Sequence, residues 1–204
     1  MIPWPNTEVE AEVDELPLLH ELDRQAGARC AGCHRELCGH QVLFSNALGF
    51  KDAPRCLACL ANGLDRPLLE LRDDLYRYIQ NRACYQRAWQ EASRREEMDP
   101  DRPPTCLWPG DEPAPSSVLI VQEETPEDRP AAGVTAIWDA GTMSCGDLVL
   151  ALRGRLGALD PGAVLKVIAH DPAAPEDLPA WCGLTGHRLL QSQHPDYYIQ
   201  RKGG

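Results

Sequence analysis

Two Cys-x-x-Cys pairs, Cys30-Ala31-Gly32-Cys33 and Cys56-Leu57-Ala58-Cys59, are joined by the chain from His34 to Arg55. Each spacing lets two thiolates turn toward one ion while the amides of the turn point at the sulfurs. Two such turns complete the four-sulfur tetrahedron that zinc prefers. Cys30, Cys33, Cys56 and Cys59 are therefore the expected metal ligands, and because four protein ligands leave no open coordination position the expected zinc is structural. Iron is the second choice, since thiolate tetrahedra accept it too. Cys38, His34 and His40 lie close to the first pair, and any of them can stand in for one ligand, as in sites of three cysteines and one histidine. Four reduced cysteines in an apolar core are the plain alternative. A redox dithiol lacks the strand-then-helix context of a thioredoxin.

The full count of nine cysteines is odd, which fits reduced thiols better than a disulfide framework. The opening Met1-Ile2-Pro3-Trp4-Pro5, followed by Glu8, Glu10, Glu12, Asp14 and Glu15, carries neither the basic nor the apolar region of a secretory signal, so a cytoplasmic location is expected. No apolar run reaches spanning length, so no membrane partner is expected. With 18 prolines and 16 glycines a continuous helical bundle is excluded.

The net charge of −11 is unevenly placed. Residues 1–29 carry −5 and residues 99–133 carry −6, whereas residues 30–98 carry +1 and residues 134–204 carry −1. Four regions follow: an acidic arm (1–29), a metal-binding module (30–98), an acidic linker (99–133) and a C-terminal domain (134–204). Eight prolines in the linker favour extended, semi-rigid chain, and its apolar run Val118-Leu119-Ile120-Val121 is a candidate strand or docking segment. Direct nucleic-acid binding is not expected, because phosphate contacts need a basic patch that neither near-neutral module has.

Within the module, Asp65 reads as an N-cap with Pro67 in the opening turn. Leu68, Leu71, Leu75, Ile79, Arg82, Tyr85 and Trp89 then recur at helical steps, which predicts one long amphipathic helix to about Glu97. Only Arg82 breaks the stripe. Tyr78, Tyr85 and Trp89 are expected in the packing face and not in a cofactor box.

After the linker the rhythm changes. Val134 to Trp138 is a β-branched and aromatic run, followed by a turn over Asp139–Ser144. Ser144 and Asp147 form a capping-box pattern, and Leu148, Leu152, Leu156 and Leu159 continue a helical stripe that Asp160-Pro161-Gly162 stops. A strand over 163–169, a helix over about 176–186 and strands over 188–193 and 197–202 complete a βαβαββ order. The fold class is thus α+β: a two-layer sandwich with two helices on a four-stranded sheet, preceded by a small zinc domain with a long helix.

Cys145 falls where the first strand of this domain hands over to its first helix. Unpaired helix N–H groups and the positive end of the macrodipole stabilise a thiolate there, which makes Cys145 the candidate nucleophile. Cys182, on the second helix, is expected to be a packed core thiol. Cys84 and Cys106 receive no role from the sequence, and His170, His187 and His194 form no metal spacing. The terminal Gly203-Gly204 is expected to be a frayed end.

The segments Asp139-Ala140-Gly141-Thr142-Met143-Ser144-Cys145, Asp160-Pro161-Gly162, Ala169-His170-Asp171-Pro172-Ala173, Asp177-Leu178-Pro179-Ala180-Trp181-Cys182 and His187 resemble the TusA (SirA-like) sulfur-carrier family across essentially all of residues 134–204. The resemblance implies a persulfide carried on Cys145, a sulfur donor of cysteine desulfurase or rhodanese type, and an acceptor protein. The family motif is Cys-Pro-x-Pro, whereas this chain reads Cys145-Gly146-Asp147-Leu148, so both prolines are absent. Proline at the first helical position pre-sets the backbone at no cost in hydrogen bonds, so Gly146 makes for a looser turn. Three functions follow as expectations: a sulfur carrier (sulfurtransferase) with a zinc module for partner binding; a zinc-containing adaptor that keeps the domain for binding only; and a redox sensor pairing Cys145 with Cys182 or Cys106.

Overall fold

The computed structural model describes residues 17–108, 133–143 and 145–203. Most of the acidic arm, the Val118–Val121 run, the proposed cap Ser144 and Gly204 lie outside the described residues.

The C-terminal domain runs β1 (Ala136–Gly141), α6 (Cys145–Gly157), β2 (Val164–Ala169), α7 (Ala174–Thr185), β3 (Arg188–Gln193) and β4 (Asp196–Gln200), after five helices of the N-terminal module. The expected βαβαββ order is observed, with sheet order β1-β2-β4-β3. β1 and β2 are parallel, and α6 supplies the crossover that parallel neighbours need. β4 runs antiparallel to both β2 and β3. The leucine stripe Leu148, Leu152 and Leu156 of α6 shares one buried core with Leu178, Trp181 and Cys182 of α7 and with Leu165, Val167, Tyr197 and Ile199 of the sheet. β1 begins later and extends further than its sequence implies, reaching Gly141. There the ladder shifts register, Gly141 takes φ +57°, and its N–H is held by Asp139 Oδ1 at 2.8 Å. A left-handed residue at this point suits glycine and turns the chain out of the sheet toward α6.

In the N-terminal module α1 spans Pro17–Arg24, α2 Gly39–Ala47, α3 Leu57–Leu64, α4 Leu68–Gln80 and α5 Ala83–Arg95. The expected long helix is two helices. Asn81 closes α4, its side-chain N–H bonding the Arg77 carbonyl, and Arg82 is extended at φ −131°, ψ 117°. The break falls at the residue that interrupts the apolar stripe, because the Arg82 guanidinium is drawn away to Asp177 and the Tyr78 carbonyl. Asp65 is also not an N-cap. It is the left-handed residue (φ 52°) that ends α3, and Pro67 precedes α4. Tyr78, Tyr85 and Trp89 are buried, as the packing reading expects.

The two modules are docked directly. Leu184 of α7 is buried within the core of the N-terminal module, with Ala180 packed against it. Arg66 reaches the carbonyls of Gly183 and Leu184, and Lys202 Nζ donates to the Leu64 carbonyl at 2.9 Å. α2 packs on α6 and α4 on α7, so the N-terminal helices form a third layer over α6 and α7. Beyond α5, Pro104, Leu107 and Trp108 are buried against the same module.

Candidate metal centre and carrier cysteine

The four cysteines of the two Cys-x-x-Cys pairs converge: their sulfurs all lie within 4.8 Å of one another. Cys33 Sγ and Cys56 Sγ are 3.7 Å apart. That separation suits two thiolates sharing one zinc in a tetrahedron with bonds of about 2.3 Å. The two pairs reach this geometry differently. The first lies in a tight turn closed by the Arg29–Glu36 bridge, with the Cys30 N–H on the Arg35 carbonyl at 2.8 Å and the His34 N–H on the Cys30 carbonyl at 2.8 Å. In the second, Cys56 precedes α3 with extended backbone and Cys59 falls in the helix's first turn. Gly32 leaves room between them, since a Cβ there would stand 3.0 Å from Cys59 Sγ.

The cluster's electrostatics suit a metal. Cys30 Sγ accepts the Cys56 N–H at 3.2 Å and the Gly32 N–H at 3.4 Å. Burial opposes the Cys30 thiolate, but the backbone N–H groups of Cys56, Cys33 and Gly32 outweigh it and bring the thiol down to about 6. Burial and the neighbouring thiols push Cys59 up to about 12. Four adjacent thiols resist ionising together, and a divalent cation supplies the charge that lets them do so. The residues fit a structural metal.

Cys38 and His40 do not join this cluster. They converge instead with Glu96 and Cys106, the ligand atoms of all four again within 4.8 Å of one another. His34 is exposed in the first turn at φ +58°. Glu96 and Cys106 escape sequence reasoning because neither sits in a motif and both lie far along the chain from His40.

Cys145 is the first residue of α6, as expected; its side chain lies outside the described residues. The N-terminal module meets this end of α6. Lys51 Nζ is 3.6 Å from the carboxylate of Asp147 in the first turn and 3.7 Å from Glu21. The guanidinium groups of Arg153 and Arg55 lie over the Phe50 ring, 3.5 Å and 5.0 Å from its centre. Lys51 thus pairs with a carboxylate in the first turn of the helix that Cys145 opens, a contact no local pattern reveals. Cys182 is buried in the domain core, and burial pushes its thiol up to about 12. Cys84, half-buried at the start of α5, is raised by burial as well.

The C-terminal domain is thus a two-layer βαβαββ sandwich with a cysteine opening its first helix. The family model described as "Sulfurtransferase TusA" matches residues 137–201, and the chain belongs to that family through this domain. "Sulfur carrier protein TusA" of Pseudomonas paraeruginosa (strain PA7) is 38% identical over 73 residues, 34% of this chain and 92% of that protein. The protein of the same description from Pseudomonas putida (strain F1) is 39% identical over 71 residues, 33% of this chain and 89% of that protein. The family match does not reach the N-terminal module. No helix among the described residues is long and apolar enough to cross a membrane.

Proposed function

We propose that this protein is a sulfur carrier that holds a persulfide on Cys145 and relays sulfur between protein partners, with a structural zinc at Cys30, Cys33, Cys56 and Cys59. The observation that carries the reading is the position of Cys145 at the start of α6 in a domain of the TusA family. The Cys145 thiolate attacks the terminal sulfur of a donor persulfide, of cysteine desulfurase or rhodanese type. The donor's S–S bond breaks as the new one forms, and the donor leaves as a thiolate, so no external oxidant or reductant is needed. Attack by an acceptor protein's thiolate on the terminal sulfur repeats the exchange and restores Cys145. Cys30, Cys33, Cys56 and Cys59 would hold the zinc with no open coordination position, so it would take no part in the exchange and would tie the first turn to α3 beneath the module that covers α6 and α7.

The test is intact mass spectrometry after incubation with a cysteine desulfurase and cysteine. A gain of about 32 mass units, one sulfur atom, is expected in the native chain and not in Cys145→Ser. The absence of both motif prolines favours one other reading, a zinc-containing adaptor that binds partners through the TusA-like domain without moving sulfur. That reading predicts no mass gain under conditions that load a proline-bearing family member alongside.

A further inference from the structure

The second cluster gathers at the start of α2. Cys38 is the residue before α2 and has extended backbone; His40 is in the helix's first turn. Cys106 belongs to the segment that follows α5, in a turn where the Leu107 and Trp108 N–H groups both bond the Pro104 carbonyl at 2.9 Å. Cys38 Sγ is 3.1 Å from Cys106 Sγ, and Cys106 Sγ is 3.6 Å from His40 Nδ1. Glu96, just past α5, completes the group, and its Oε1 accepts the Gly39 N–H at 2.6 Å.

Three features distinguish this from a chance meeting of polar groups. First, the histidine is placed as a ligand: His40 Nε2 is 2.9 Å from Ser93 Oγ, a hydroxyl able to accept the Nε2–H, and that tautomer turns the Nδ1 lone pair toward the thiols. Its ring is fully buried and packed edge-on against Trp89, 4.5 Å between centres, so this orientation is fixed. Second, the approach is built into the backbone, since a Cβ on Gly39 would stand 2.9 Å from the Cβ of Ala92, and only glycine lets the start of α2 close on α5. Third, two thiols, an imidazole and a carboxylate are a donor set for a metal of borderline softness.

We propose that Cys38, His40, Glu96 and Cys106 form a second divalent-metal site, suited to zinc, that clips the 104–108 segment to the start of α2. Binding would displace the two thiol protons, and four protein ligands make the site structural. The clip would act beside the aromatic anchor already present, Trp108 stacked edge-on with Tyr76 at 5.0 Å and lying under the Arg72 guanidinium. Together they would fix the point at which the connector leaves the module. This second site is independent of sulfur transfer.

The test is metal content of the full chain purified without chelator, with the apo chain then titrated with cobalt. Two zinc per chain are expected, falling to one in Cys106→Ser and in Cys38→Ser. In the titration, the thiolate-to-cobalt absorption of the two-thiolate site should be about half that of the four-thiolate site, in line with the ligand count. One metal per native chain overturns the proposal whatever the variants do. So do two metals retained in Cys106→Ser, or a native chain whose mass and peptide map show Cys38 and Cys106 joined as a disulfide.

Discussion

Arg82 Nε lies 2.5 Å from Asp177 Oδ1, joining the break between α4 and α5 to the first turn of α7 across the boundary of the two modules. Both side chains are largely shielded, 13% and 4% exposed. The guanidinium also covers the Tyr78 ring at 3.6 Å. Removing one member of a shielded pair leaves a charge without its partner and typically costs about 3–5 kcal/mol. Asp177→Ala is therefore expected to destabilise the protein by about 3 kcal/mol in urea unfolding, with a double-mutant cycle against Arg82→Ala recovering much of the loss. A cost below about 1 kcal/mol, the level of an exposed pair, would count against a load-sharing interface.

What the sequence disclosed and what it withheld divide along physical lines. The βαβαββ order was legible because the Leu148–Leu152–Leu156 stripe and the strand patterns report burial within one domain. The four-cysteine cluster was legible because Cys-x-x-Cys spacing is a local geometric constraint. The break at Arg82 was not, because the force that ends α4 comes from Asp177, far along the chain on α7. The docking face was hidden for the same reason: Leu184 looks like an ordinary helical apolar residue until the N-terminal module is set against it. Cys38 and His40 were visible as ligand types, but their companions Glu96 and Cys106 come from distant chain that only the tertiary fold brings in.

Gly49 is the tightest point of that docking. It adopts φ +77°, and a Cβ there would stand 2.9 Å from the Val149 carbonyl oxygen in α6. Gly49→Ala adds left-handed backbone strain of about 1 kcal/mol or more to a clash with backbone that cannot yield as a side chain would. The expected result is a lowered melting temperature together with faster proteolysis between the modules. An unchanged melting temperature would contradict the close contact of α2 and α6.

The thiols should differ sharply in reactivity. Cys182 is 2% exposed and its thiol is pushed up to about 12 by burial, so in mildly alkaline buffer it is both protonated and covered. Brief alkylation of the native protein followed by peptide mapping should leave Cys182 unmodified, while Cys145 reacts as a thiol at a helix start. Chelation before alkylation should add Cys30, Cys33, Cys56 and Cys59, and with them Cys38 and Cys106 of the second site, to the modified set. Ready labelling of Cys182 in the folded chain would refute its assignment to the core.

Stability should depend on His187 in mildly acidic solution. Its Nδ1 accepts the Lys202 backbone N–H at 3.1 Å, and its ring stacks on Trp181, 5.3 Å between centres. Burial first, then the charges of Lys202 and Arg201, pull it down from the ordinary 6.5 to about 4. Between those values the unfolded chain binds a proton that the folded chain refuses. The contribution is thus fully present above about pH 6.5, falls as the pH drops toward about 4, and declines no further below it. His187→Asn, which keeps an acceptor and removes the titration, should flatten the stability profile in that window. An equal slope in native and variant proteins would exclude His187 as its source.

Lys51 offers a direct probe of whether the N-terminal module acts on Cys145. Its ammonium is 3.6 Å from Asp147, a carboxylate in the same first turn of α6 that Cys145 opens. An anion at that point competes with a thiolate for the same helix N-terminus, and its pairing with Lys51 removes much of the competition. Lys51→Ala should therefore move the pH dependence of Cys145 alkylation upward, on the scale of helix-end charge effects of about 0.3–1 kcal/mol. The pH dependence of Cys145 alkylation, followed by peptide mass in native and variant chains, measures this. Asp147→Asn in the Lys51→Ala background should bring the midpoint back down, because it removes the anion that Lys51 offsets. A midpoint that stays fixed in both variants would show that the module covers α6 without acting on Cys145.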